Sequence, residues 1–291
     1  ALSEILVISF QSNLSFYGRG ISHYYDILSN NAFGNYRDLL MDVTLNACMG
    51  FYLSHMDNPK AIPVANIHPD ENYAREIMQL FTIGLYELNP DGSRKLGNNG
   101  HFIPSYDNND IKEFAKVFTG LGAGAVIENE WLDEPVFDLV IWLADLTIPM
   151  KMYEDWHQKG EKHLLNGFII PNGQNGMKDI EDAVNHLFMH PNVGPFIGKQ
   201  LIQRLVKSNP SPAYVARVSQ AFNDNGQGVR GDMKAVIRAI LLDEEARDCA
   251  WVQDASNGKL REPLLRYTLA AKALETDQAY GRFWYIGYNF L

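Results

Sequence analysis

The sequence lacks cysteine pairs and long apolar runs. It has two cysteines in 291 residues, Cys48 and Cys249, and no CxxC pair, which excludes a zinc ribbon and a thioredoxin-type redox site. No apolar run reaches the roughly 18–20 residues that span a bilayer, so no membrane span is predicted. A disulfide between the two cysteines is possible. We favour the alternative, in which both are small buried residues that are not bonded to each other, because unpaired cysteine is usually buried.

Clustered basic residues are also missing. The chain has 25 Lys and Arg against 35 Asp and Glu, a net charge of −10, and its longest basic clusters are pairs such as Arg94-Lys95. Binding to a phosphate backbone requires clustered cations. We therefore expect no nucleic-acid partner, and we predict a partner that is a protein or a polymer not identified by the sequence.

Three common catalytic or nucleotide-binding motifs are absent. There is no G-x-S-x-G elbow, P-loop or G-x-G-x-x-G, so no cofactor is predicted. His186 and His190 have zinc-ligand spacing, but no Glu lies between them as in HExxH, and Pro191 ends the helix. The oxygens of residues 107–110 lack the spacing of an EF-hand loop and are typical of a helix cap. No metal site is predicted.

Apolar residues at helical spacing predict a mainly α-helical fold. The helix over 70–83 follows Pro69 and stops at Gly84, as helix termini favour. The C-terminal third reads as a helical bundle. The predicted helices cover residues 35–51, 70–83, 107–118, 179–189, 191–205, 211–222, 232–242 and 261–274.

Turn signals predict a small β insertion between the helices. Asn-Pro-Asp-Gly at 89–92 and the glycines of 97–100 favour tight turns, which indicates a β-hairpin or meander near 85–105. Residues 121–176 show little periodicity and are expected to be irregular, apart from a short strand at 168–171. The fold class is thus a multi-helix, bundle-like domain with a small β insertion and a loop-rich middle.

We predict one domain over 1–291, with sub-regions 1–120, 121–176 and 177–291. The chain starts Ala-Leu-Ser-Glu without Met, and it ends on the aromatic stretch 283–291. Solvated termini are seldom so apolar. The sequence is therefore expected to be a fragment of a longer protein, and the absence of a signal peptide from it does not exclude one in the full-length protein.

The segment Glu71-Asn-Tyr-Ala-Arg-Glu-Ile-Met-Gln-Leu-Phe-Thr-Ile-Gly84 closely resembles the signature of a bacterial family known as domain of unknown function 1800, E-N-Y-A-R-E-L-M-E-L-H-T-L-G. Gly-Asn-Tyr-Arg-Asp-Leu-Leu at 34–40 is similar to its G-N-F-R-E-L-L. Residues 111–120 and 157–167 resemble two further family segments. The likeness continues to the C-terminal helices and implies an exported or envelope-associated protein, but it supplies no reaction.

This chain departs from the family pattern at its histidines. The signature His is Phe81 here, and the Asp that follows a second family His is Gln158. An upstream W-H-N-H segment of the family aligns near Leu-Ser-Glu-Ile at 2–5. If family members use a histidine-rich metal site, this chain has lost most of it.

The signature helix carries the first candidate site residues, which are Glu71, Asn72, Arg75 and Glu76. Glu71 and Glu76 lie about 140° apart around a helix axis, so one helix cannot easily aim both carboxylates at one point. Asn72 and Arg75 share a face and suit ligand binding and catalysis respectively. The alternative is a buried Arg–Glu network that ties helices together.

A second group lies on a predicted loop and contains His157, Lys159, Glu161, Lys162 and His163. Functional residues concentrate on loops held by a rigid scaffold. His157 suits a general base or metal ligand, while Glu161 and Lys162 are candidate binding residues. The alternative for His157 is a surface side chain that bonds a backbone carbonyl.

Two functions remain open from the sequence. The first is a non-enzymatic helical scaffold or binding protein of the bacterial envelope or exterior, favoured by the missing motifs and histidines. The second is a hydrolase-like enzyme with an acid–base site formed by Glu71, Arg75, Glu76 and His157. The second predicts that His157 lies close to Arg75 or Glu76 in a cleft.

Overall fold

The structure is a computed structural model, and it describes residues 1–128, 131–254 and 257–276. Helices dominate it, which confirms the mainly α class. The aromatic end at 283–291 lies outside the described residues. In chain order the helices are α1 Gly18–Asn30, α2 Tyr36–Leu45, α3 Ala47–Tyr52, α4 Asn72–Gln79, α5 Asn108–Val117, α6 Gly176–Met189, α7 Val193–Leu205, α8 Pro212–Asn223, α9 Met233–Leu242, α10 Glu244–Arg247 and α11 Pro263–Ala273.

Side-chain caps explain where several helices begin. Asp107 forms a capping box with Asp110 at the start of α5, as expected from the sequence. Ser211 accepts a hydrogen bond from the Tyr214 amide at the start of α8, and Asp232 caps α9. Each cap pairs backbone N–H groups that the helix itself leaves free.

One helix was missed, and two predicted helices are shorter than expected. Helix α1 was not predicted at all. The helix expected over 35–51 is broken at Asn46, because the Asn46 side chain accepts hydrogen bonds from the amides of Cys48 and Met49 and so starts a new helix. Helix α4 ends at Gln79. Leu80, which follows the last residue of the helix, is 39% exposed.

The β structure consists of short pieces. Strand β1 (Leu121–Gly122) pairs antiparallel with β2 (Lys151–Met152), and β3 (Lys162–His163) pairs antiparallel with β4 (Ile169–Ile170). Strand β4 confirms the strand predicted at 168–171.

Residues 85–105 form the predicted meander. Isolated bridges join Tyr86 to Pro104, Leu88 to Arg94 and Leu96 to Phe102. The first turn passes through Gly92, whose φ of +74° is readily available only to glycine.

One cluster of buried apolar side chains runs from Ile5 to Ile240. Helix α7 packs on α8 and α8 on α9, while α4 packs on α5. None of the described helices is both long and apolar enough to cross a membrane. Both cysteines are free thiols; Cys48 is buried as predicted, whereas Cys249 is exposed, so that half of the prediction was wrong.

Candidate functional site

The signature helix α4 carries an ion pair on its surface. Arg75 Nη2 lies 3.4 Å from Glu71 Oε2, and the two side chains are 41% and 37% exposed. Asn72 is exposed at the start of the helix. The pair joins positions four apart on one helix, which adds only a few tenths of a kcal/mol. The alternative of a buried Arg–Glu network between helices is therefore wrong.

Glu76 takes no part in this ion pair and is half-buried. Burial raises the pKa of its carboxyl, and the nearby Arg75 guanidinium offsets part of the rise. Its buried Oε2 atom has no hydrogen-bond partner among the described residues. Next to it, the Tyr106 hydroxyl donates a 3.1 Å hydrogen bond to Gln79 Oε1, which links Tyr106 to the last residue of α4.

The loop histidine is enclosed by protein. His157 is 0% exposed; its Nδ1 lies 2.8 Å from the Thr119 carbonyl oxygen and its Nε2 lies 2.9 Å from Asp179 Oδ2. Lys162 Nζ donates to the same oxygen at 2.5 Å. Burial alone would raise the pKa of the Asp179 carboxyl, but the hydrogen bonds from His157 and Lys162 lower it by more. Its pKa is therefore below the usual value.

Two glycines let the backbone close around His157. A Cβ on Gly120, which has a φ of +84°, would lie 2.8 Å from the His157 amide nitrogen, and one on Gly176 would lie 2.9 Å from His157 Cγ. The enclosure leaves no route for a substrate to the imidazole. The sequence analysis considered a surface His157 that bonds a backbone carbonyl. The hydrogen bond to a carbonyl is present, but His157 lies in the interior and not on the surface.

The structure thus brings the predicted site residues together in two separate groups. Arg75 and Glu76 lie on α4, and Glu71 is the residue that precedes its first turn. None of the hydrogen bonds or ion pairs that His157 makes among the described residues reaches them. Glu161 faces solvent and pairs with His163 at 2.9 Å.

A cavity of about 340 Å³ lies at the C-terminal end of α4. One wall is segment 79–94, which runs from α4 into the meander, and the other wall is α7. Apolar and aromatic side chains supply most of the lining. The lining residues are Gln79, Leu80, Gly84, Leu85, Tyr86, Leu88, Gly92, Arg94, Pro195, Phe196, Lys199, Gln200 and Gln203.

Asn192 fastens the two walls of the cavity together. It is fully buried just before α7. Its Nδ2 donates to the carbonyl oxygens of Ile83 (2.8 Å) and Tyr86 (2.9 Å), and its Oδ1 accepts from the Leu88 amide at 2.9 Å. The sequence analysis treated this residue only as part of a helix start. No signal in a single sequence distinguishes a helix-starting Asn from one that bonds a distant loop.

Close packing also sets the shape of the cavity. Gly84 has a φ of +71°, and a Cβ there would lie 2.7 Å from the Phe196 ring. The predicted helix stop at Gly84 therefore has a second role, since only glycine lets segment 79–94 approach α7 this closely.

The model of one protein family, described as "Protein of unknown function (DUF1800)", matches residues 1–287 of this chain. No curated protein and no solved structure matches it. The family match covers nearly the whole chain, in agreement with the resemblance seen in its motifs.

Proposed function

Because the chain belongs to the DUF1800 family, whose description assigns no reaction, we propose from its geometry that it is a binding protein with its ligand in the cavity between segment 79–94 and α7. The observation that carries the proposal is the cavity itself, about 340 Å³ in volume and lined mainly by apolar side chains with a few polar groups. Small-molecule sites have this size and this lining.

The position of the cavity supports the proposal. Gln79, Leu80 and Gly84 belong to the signature segment and line the cavity directly. The end of the segment that made the family recognisable therefore forms part of one wall of the proposed site. A protein or polymer partner, expected from the sequence, needs an interface much larger than this cavity, so the proposal is for a small ligand.

Rigidity also supports binding. Asn192 forms hydrogen bonds with three backbone groups of one wall, and the Tyr106 hydroxyl donates one to the side-chain oxygen of Gln79. A wall that is already ordered loses little conformational entropy when a ligand enters, which favours affinity.

The hydrolase alternative has support at one residue, Glu76. Its raised pKa and its unpartnered oxygen are features of a general acid or base. His157 does not support it, because its imidazole is enclosed and both ring nitrogens are engaged. Loss of a hydrolytic activity in Glu76→Gln, with retention in His157→Gln, would favour this alternative.

Location in the envelope or outside the cell is a further part of the proposal, and it comes from the family resemblance alone. Fractionation of cells that make the full-length protein tests it. Recovery of the protein with the cytoplasmic fraction would count against it.

Binding of a neutral probe tests the proposed site. We expect N-phenyl-1-naphthylamine to bind and increase in fluorescence, and Leu85→Asp to weaken binding at least about tenfold, because a carboxylate in an apolar wall must be desolvated. Leu85 is 50% exposed and Leu260, on another surface, is 82% exposed. Neither substitution should unfold the protein, so Leu260→Asp is the matched control. Equal affinity of the two variants would refute the proposal.

A further inference from the structure

The charge of the cavity differs from that of the chain. The protein carries a net charge of −10, yet Arg94 and Lys199 line the cavity and no acidic side chain is among its described lining residues. Two cations at one apolar site in an acidic protein favour an anionic ligand.

Arg94 is held in place without an acidic partner. Its guanidinium carbon lies 4.6 Å from the centre of the Tyr86 ring and 5.1 Å from that of Phe102. Within the described residues it makes no ion pair. Lys199 interacts with Asp91, but that carboxylate already accepts hydrogen bonds from the amide and hydroxyl of Ser93. Arg94 is thus the main positive group that a ligand can neutralise.

Three glutamines line the cavity, and two of them, Gln79 and Gln200, offer a spare donor, whereas Gln203 Nε2 already donates to the Ser208 carbonyl oxygen. Gln200 Nε2 is buried and has no hydrogen-bond partner among the described residues. Gln79 accepts from Tyr106 through Oε1, which leaves its amide nitrogen to donate elsewhere. A buried donor without an acceptor costs about 1–3 kcal/mol, so an acceptor-bearing ligand is stabilised here.

The acceptors of the same wall are already used. The carbonyl oxygens of Gly84 and Leu85 accept from the Ser105 hydroxyl and amide, and that of Tyr86 accepts from Asn192. A peptide needs acceptors for its own N–H groups, and a cationic ligand needs acidic side chains. The wall favours neither of them.

We infer that the ligand is a small amphiphile, an apolar chain that ends in a carboxylate. The chain lies against the leucines and Phe196, while the carboxylate faces Arg94 and the free amide nitrogens. The inference rests on the proposed function, since it takes this cavity as the binding site.

Displacement of N-phenyl-1-naphthylamine tests the ligand class. Sodium decanoate, decan-1-ol and decylammonium chloride share one alkyl chain and differ only in the end group. We expect decanoate to displace the probe at a concentration at least about fivefold below that of decanol, and decylammonium to be weakest, because only the anion pairs with the cations. Raising the salt concentration should narrow the difference between decanoate and decanol.

Variants assign the difference to the cavity. Arg94→Gln combined with Lys199→Gln should bring decanoate to within about twofold of decanol and leave decanol unchanged, because only the charge-assisted bonds are removed. Lys234→Gln, at an exposed lysine on α9 that does not line the cavity, should keep the full difference.

Three results would overturn the inference: decanol matching decanoate, the difference surviving in the double variant, or the peptide acetyl-Leu-Leu-Leu competing more strongly than decanoate. Each of these would leave the proposed function standing. If Leu85→Asp does not weaken probe binding, the proposed function itself fails.

Discussion

Replacing Asn192 by alanine tests how the cavity wall is held. The change removes the three hydrogen bonds from segment 83–88 to the start of α7. Ile83 is fully buried, so its carbonyl loses its partner without gaining water, at about 1–3 kcal/mol. Tyr86 and Leu88 are half-buried and their groups are rehydrated at a smaller cost. We expect a total loss of about 2–4 kcal/mol in the free energy of unfolding.

Equilibrium urea unfolding measures that loss, and hydrogen exchange at the Leu88 amide locates it. Asn109→Ala is the control, because Asn109 is exposed on α5 and surface changes of this kind stay within about 0.5 kcal/mol. The exchange of Leu88 should speed up in Asn192→Ala only, and probe affinity should fall with it. A loss below about 1 kcal/mol, or an unchanged Leu88 exchange rate, would show that Asn192 does not hold the wall.

Three further predictions concern the interior. Burial lowers the pKa of His55 from 6.5 to about 4, and a hydrogen bond to a backbone carbonyl opposes this only weakly. The folded protein therefore favours the neutral imidazole. Its contribution to the free energy of unfolding, about 3 kcal/mol, is complete above pH 6.5 and is lost as the pH falls towards 4. In His55→Phe the pH dependence of urea unfolding should flatten over this range, and an unchanged slope would contradict the assignment. Lys162→Met leaves Asp179 without its ammonium partner and should lower the free energy of unfolding by about 3–5 kcal/mol in the same assay. The control Lys159→Met removes a surface ion pair and should lower it by less than about 1 kcal/mol. Similar losses in the two variants would argue against a buried pair. Gly84→Ala places a side chain at a φ of +71°. It should lower the melting temperature and the free energy of unfolding, the latter by about 1–3 kcal/mol, and it should weaken probe binding. A variant of normal stability would show that the turn adjusts to the side chain.

Capping and turn chemistry could be predicted from the sequence because they are local. Asp107, Ser211 and Asp232 start their helices as expected, and the glycine turns place the meander correctly. Asn46 was missed because its neighbours keep helical spacing through the break, so periodicity alone joined two helices into one.

The candidate site could be predicted only in part. The C-terminal end of the signature segment lines the cavity, but none of the site residues named from the sequence does. Among the described residues, no hydrogen bond or ion pair joins His157 to α4. His157 is drawn into the interior by Asp179 and Thr119, two partners 22 and 38 residues away in the chain. Such pairings depend on packing between distant segments, and a single sequence does not encode them in any local pattern.

The two cysteines differ in a way that is useful for experiments. Burial raises the pKa of the Cys48 thiol to about 12, so at neutral pH it holds almost no thiolate, which is the form that reacts. Cys249 is exposed and is not among the residues that line the cavity. A maleimide dye should therefore attach at one position in the native protein, without any substitution, and report on the molecule without obstructing the proposed ligand.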